Sequence, residues 1–390
     1  MLRNTFFFLI LFCFHGSISA QRLVTNTEAV ELSLKNQRNF KAANLNVQQQ
    51  QQLLRSATAI DNPVIQLEAS PYEPLVAGVQ QSINLPGVYR NRKALQNERI
   101  QLARLQLQGS QNDLKREVRL SYTRLQYFNA RLNLFRYQDS VYQAIKIASK
   151  RFFDAGQINK LEELQAASQA DRIHNELVRI NMEQDAELQM FRFYTNLRDT
   201  FYVEQMATYV SLPQTDSISN NIQQQILQQQ ISIEQRELSL QKAELLPGFT
   251  AGLLFPTTKT YERPVGYQVG ISLPIYRKQN RSRIAAAQMG VEIATAEQAL
   301  AAARLNARYR QALYNYRKEE QSLSYFNNTA LPQSRQIIET SQRLFQGGEL
   351  NYIESLRNLQ MAFGIINAHL ETLRAYNETA IELNYLNQTL

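Results

Sequence analysis

Few residues in this chain could do chemistry, and they are scattered. The 390 residues include three histidines and one cysteine. His174 and His369 lie far apart in segments of helical period. Neither has a cysteine or a second histidine at ligand spacing, so no metal site is expected and both read as structural or solvent-facing. Cys13 sits inside an apolar run. No nucleophile elbow, phosphate-binding loop or dinucleotide fingerprint appears. The reading is a protein that is not an enzyme and uses no cofactor.

The chain opens as an export signal would. Arg3 supplies the positive charge, Phe6 to Phe14 is apolar, and Gly16 to Ala20 offers small residues for cleavage before Gln21. The run is far shorter than the roughly 20 residues of a membrane-spanning helix. Residues 1–20 are therefore read as a signal peptide, with Cys13 off the cleavage point and no lipid anchor. A mature chain without Cys13 has no thiol for disulfides or metal ligation. The formal charge is +8, but acidic and basic residues are interspersed and no Lys/Arg block tracks phosphates. No nucleic-acid partner is expected.

The informative feature is a repeat. RFFDAGQINKLEEL, from Arg151, returns as RLFQGGELNYIESL from Arg343, 192 residues later (343 − 151). Arg151/Arg343, Phe153/Phe345, Gly156/Gly348, Asn159/Asn351, Glu162/Glu354 and Leu164/Leu356 are identical. Upstream, QQSINLP ending at Pro86 matches QVGISLP ending at Pro274, and the break at Pro63 matches that at Pro247. The domain reading is a first repeat over 21–197, an inter-repeat segment over 198–218 and a second repeat over 219–390. Each repeat runs helix, strand, strand, long helix, glycine joint, helix. In each joint the glycine gives the backbone its freedom to turn, and Asn159 or Asn351 is placed to cap the returning helix.

The elements between these marks follow from periodicity. Leu356, Leu359, Phe363, Ile366, Leu370 and Leu373 form a heptad seam, and Val118, Leu125 and Leu132 form another beside Phe128, Phe135 and Tyr142. From Val88 to Ser149 no proline intervenes, which predicts a rod of roughly 90 Å. Strands are expected at about 64–70, 78–85, 249–255 and 265–273. Val265, Tyr267, Val269, Ile271 and Leu273 alternate with small or polar residues, as on a strand with lipid on one side and water on the other. Amphipathic hairpins over a soluble core would fit any single strand equally well. Four strands cannot close a barrel, so strands placed in a membrane must be pooled by several chains, and three chains would supply twelve.

The duplicated plan resembles the TolC family of outer membrane factors. The joint RxFxxGx(I/L)NxxExL is similar to that family's joint, and Leu85-Pro86 and Leu273-Pro274 resemble its strand-to-helix corner. The likeness runs from about Leu23 to Asn387, and the compact ends resemble the heavy-metal and small-drug branches. It implies a mainly α fold with a small β part: a homotrimer whose twelve-stranded outer-membrane β-barrel continues as a periplasmic coiled-coil tunnel. It also implies a passive conduit for small molecules or metal ions, fed by an RND-type inner-membrane pump through a periplasmic membrane-fusion adaptor. Arg151, Phe153, Gly156, Asn159, Arg343, Phe345, Gly348 and Asn351 would then form the adaptor-docking tip. Glu162 and Glu354 would line the entrance, where carboxylate rings select cations; as first-turn glutamates they equally suit the helix dipole. The family usually carries Asp at that place. Two alternatives share these features: the exit duct of a protein secretion system, and a soluble periplasmic coiled-coil scaffold or adaptor.

Overall fold

The computed structural model describes residues 22–69, 75–208, 221–256, 265–275, 277–347 and 349–388. The expected signal peptide, Cys13 and Gly348 lie outside these residues, as does the expected inter-repeat segment beyond residue 208. Within them the order is β1 (Arg22–Val24), α1 (Asn26–Lys35), α2 (Lys41–Ala57), β2 (Val64–Glu68), β3 (Val76–Ile83), α3 (Pro86–Asp154), α4 (Lys160–Thr195) and β4 (Phe201–Val203). The second half continues with α5 (Ile222–Ala243), β5 (Gly248–Pro256), β6 (Gly266–Ser272), α6 (Arg277–Tyr325), α7 (Leu331–Gln346) and α8 (Tyr352–Leu386).

Helix α3 has 69 residues and starts with Pro86, whose fixed φ and missing N–H suit a first helical position. At about 1.5 Å per residue it is roughly 100 Å long, the longest single helix among the described residues. Along its lower half α3 packs between α4 and α8. The heptad rows meet there: Leu132, Phe135 and Tyr142 of α3 bury with Ala170, Ile173 and Ile180 of α4 and Leu359 and Phe363 of α8. Along its upper half α3 packs between α2 and α5, with Val88 and Leu95 against Ile233 and Leu240. Charges lace the columns together. Arg131 reaches Glu176 at 2.8 Å and Glu183 at 3.7 Å, and Arg116 reaches Glu382 at 2.6 Å.

Two columns are assembled from pieces distant in sequence. Asn39 donates to the Tyr194 carbonyl at 3.1 Å and Asn36 to the same oxygen at 3.3 Å, so the end of α4 abuts the residues that lead into α2. Likewise Asn221 donates to the Leu386 carbonyl at 2.9 Å while its Oδ1 accepts from Gln223 N–H at 2.9 Å. One buried amide thus closes the last turn of α8 and caps the first turn of α5, meeting orphan groups at both ends. Asn221→Ala is expected to lower stability by about 1–3 kcal/mol, because it leaves buried polar groups unpaired. Asn221→Asp is expected to be no better, since it keeps the cap but sets a carboxylate against a helix C-terminus. Urea unfolding of the purified protein measures both, and a wild-type midpoint for either variant contradicts the splice.

Helices α6 and α7 form one line interrupted by a wide π-type turn at Phe326–Ala330, where Leu331 N–H bonds the Phe326 carbonyl. Pro332 follows. A proline lacks the N–H for its turn and its ring crowds the carbonyl four residues back, so the wide turn relieves a conflict the α-helix cannot.

The sheet order is β2-β3-β5-β6, all antiparallel. Strand β3 begins two residues before the alternation predicts, because Val76 and Ala77 pair with Pro256 and Phe255 of the other repeat. A second sheet, not expected from the sequence, pairs β1 with β4 in parallel at mid-height. Tyr122 fixes it: its hydroxyl donates to the Val24 carbonyl at 2.9 Å and accepts from Glu204 N–H at 3.2 Å.

Candidate functional site

Two surfaces stand out, one at each end of the columns. The first is the four-stranded sheet. Its register puts Ile65, Leu67, Ala77, Val79, Ile83, Phe249, Ala251, Leu253, Phe255, Tyr267, Val269 and Ile271 on one face, broken only by Gln81. The other face carries Gln66, Glu68, Gln80, Ser82, Thr250, Gln268 and Ser272 with several glycines, and also Val64, Val76 and Leu254, so it is the more polar of the two. The apolar face is open: Ile65 is 77%, Val269 75% and Tyr267 85% exposed. Val265 and Leu273 flank β6 and are also exposed. A contiguous apolar face of this kind marks a surface that meets something other than water.

The polar face is the concave one. Gln66 Nε2 of one edge strand donates to Gln268 Oε1 of the other at 2.9 Å, which requires the sheet to curl toward that face. Small residues permit the curl, since a Cβ on Gly78 would come within 2.9 Å of Leu254. Among the described residues the outer edges of β2 and β6 pair with no strand. Because the four strands alternate in direction, these edges run oppositely, so the β6 edge of one copy matches the β2 edge of another in antiparallel sense.

The second surface is the foot of the columns. At the first joint Gln157 N–H bonds the Phe152 carbonyl at 2.8 Å and Gly156 N–H bonds that of Phe153 at 2.9 Å, with Gly156 at φ +73°. This is a Schellman ending, in which the left-handed position favours glycine. Asn159 then caps α4 in a full capping box: Glu162 N–H donates to its Oδ1 and its own N–H donates to Glu162 Oε2, both at 3.0 Å. The Glu162 carboxylate is therefore engaged by backbone. Arg151 is exposed, and Phe153 is half-buried beneath the Lys160 ammonium at 4.9 Å.

The second joint repeats the chemistry. Glu349 N–H bonds the Leu344 carbonyl at 2.9 Å, the counterpart of the Gln157 bond, and Asn351 Oδ1 accepts from Glu354 N–H at 2.9 Å. Arg343 and Glu354 are exposed, and Phe345 packs on Tyr352 with ring centroids 6.4 Å apart. Burial pushes the Tyr352 phenol up to about 12. Both joints lie at one level. Phe363 of α8 touches Tyr137 and Tyr142 of α3, and each chain continues roughly 20 Å beyond that contact to its joint.

The histidines stay apart. His174 faces Asp139 at 3.4 Å on an exposed helix side. His369 packs edge-on against Phe326, and burial lowers its pKa. Among the described residues no group of three or more His, Cys, Asp or Glu could hold a metal ion, and no helix is long and apolar enough to cross a membrane.

The sequence matches no protein-family model and no curated protein. Solved structures do match. The Campylobacter jejuni CmeC outer membrane channel superposes with a TM-score of 0.80 at 12% identity, over 94% of this chain and 86% of that one. CusC, described in terms of folding and transmembrane channel formation, gives 0.79 at 15% identity over 93% and 91%. The Neisseria gonorrhoeae MtrE outer membrane channel, solved in its open state, gives 0.75 at 10% identity over 93% and 88%. With its two-faced sheet at one end, paired glycine joints at the other and long columns between, the chain has the TolC-like fold of outer membrane efflux channels.

Proposed function

We propose that the protein is the outer-membrane channel component of a tripartite efflux system, a homotrimer conducting small molecules or metal ions passively from a periplasmic adaptor and inner-membrane pump to the exterior. One observation carries this: an apolar-faced sheet with two open edges of opposite direction. Unpaired backbone is intolerable in hydrocarbon, so such a sheet must either stay out of the membrane or complete itself with sister copies. Three copies give twelve strands, the polar faces turn inward, and the columns continue as a periplasmic tunnel. A soluble scaffold would have no use for an apolar face as open as that around Tyr267 and Val269.

The foot is then the adaptor-docking tip, with Arg151 and Arg343 exposed and Phe153 and Phe345 supporting the turns. Of the two entrance candidates, Glu354 is the better placed, because the Glu162 carboxylate is held by its own capping box. The test is direct. Detergent extraction of membranes followed by native mass spectrometry is expected to give a trimer that conducts ions in planar bilayers. The gene is expected to restore efflux to a strain lacking its own channel. A monomer released by osmotic shock without detergent overturns the reading.

A further inference from the structure

The glycine joints are not the only duplicated feature. One turn below the sheet, α3 begins Pro86-Gly-Val-Tyr-Arg90-Asn-Arg-Lys93, and the matching corner reads Pro274-Ile-Tyr-Arg-Lys278-Gln-Asn-Arg281. In both repeats a cation stands four residues after the proline and another seven after it, at a common offset of 188 (278 − 90 and 281 − 93). Spaced three apart, each pair occupies one helix face. Arg90 and Lys93 lie about 200° around α3 from Val88 and Leu95, which are buried against α5. Lys278 lies on the side of α6 away from the buried Ala294 and Ala312. All four are exposed, and among the described residues none has a carboxylate within ion-pair distance.

Their neighbours behave differently. Two residues from Arg90, Arg92 reaches Glu244 at 3.9 Å, and deeper in the columns Arg99 reaches Glu237 at 3.8 Å and Arg236 reaches Glu98 at 3.3 Å. Arg92, Arg99 and Arg236 thus have carboxylate partners within the upper columns, while the repeated pairs next to the apolar face have none among the described residues. An unpaired cation beside an oily surface is where a lipid phosphate would lie.

We infer that Arg90, Lys93, Lys278 and Arg281 form a belt that binds the phosphates of anionic phospholipids in the membrane leaflet nearest the columns. The belt rests on the barrel reading above, since it needs the apolar sheet in the bilayer. It adds a lipid class and four residues to that reading. The occupant is a membrane phosphate rather than a nucleic acid, because the pairs recur at a fixed height around the column instead of tracking along it.

The full-length chain is reconstituted into phosphatidylcholine vesicles with and without phosphatidylglycerol, and lipid retained by the trimer is read by native mass spectrometry. Wild type is expected to retain phosphatidylglycerol preferentially. The combined variant R90Q/K93Q/K278Q/R281Q is expected to lose that preference by roughly tenfold or more, since each cation near an anionic surface is worth about a fivefold change in binding. It should still float with vesicles and remain trimeric. An unchanged preference in the variant overturns the belt. So does a shift in channel ion selectivity with no change in retained lipid, which would place these cations in the lumen. A wild-type chain that neither floats nor trimerises fails at the earlier step, and that outcome removes the barrel as well as the belt.

Discussion

Val269→Arg is expected to abolish stable trimer in the membrane fraction. A lipid-facing arginine near the midplane of a barrel costs about 2–4 kcal/mol. One substitution in the chain puts three such charges into a trimer, about 6–12 kcal/mol in all, which is comparable to the whole 5–15 kcal/mol by which proteins are ordinarily stable. The neighbouring residue supplies the control. Gln268 occupies the concave polar face and reaches Gln66, so Gln268→Arg places its charge toward water and should cost little. Heat-resistant trimer on gels, together with vesicle flotation, distinguishes the two. Equal behaviour of the two variants would mean that neither face of the sheet meets lipid, and the channel reading would fall with that result.

The second large effect is expected at the foot. Gly156 holds φ +73°, a backbone conformation that costs a β-branched residue roughly 1–3 kcal/mol. A Cβ there would meet nothing within 4 Å, so the penalty is one of backbone conformation and not of crowding. Gly156→Val is therefore expected to deform the first joint and abolish efflux complementation, while trimer and membrane insertion, set at the other end of the columns, persist. Asparagine tolerates the left-handed region, so Gly156→Asn should retain most resistance. Full drug or metal resistance with Gly156→Val in a strain dependent on this channel would remove the joint from the docking surface.

Periodic features were legible in the sequence, and features made by contact between distant segments were not. The heptad rows of α3 and α8 place the lower core because an apolar stripe must bury against another stripe. The alternation around Val269 marks a two-faced strand for the same reason. Asn36, Asn39 and Asn221 carry no such signal. An asparagine beside a helix is common, and what distinguishes these is the carbonyl each reaches more than 150 residues away. The strands at Arg22–Val24 and Phe201–Val203 have three residues each, too few for a period to show. Pro332 forbids a regular turn at that point, and only the geometry shows that the chain absorbs it with a wide turn instead of a break. The capping box at Asn159 and Glu162 is readable as a pattern, and the structure forms both of its hydrogen bonds.

The asparagine splices have a mechanical consequence. At mid-height two of the four pillars are stacked drums, held end to end by amide contacts, while α3 and the α6–α7 line run through unbroken. Compression passes through all four, but an axial pull is borne covalently by only two, and one of those contains the loosened turn at Phe326–Ala330. Under tension, strain should therefore gather at the waist, leaving the foot and the sheet as comparatively rigid ends.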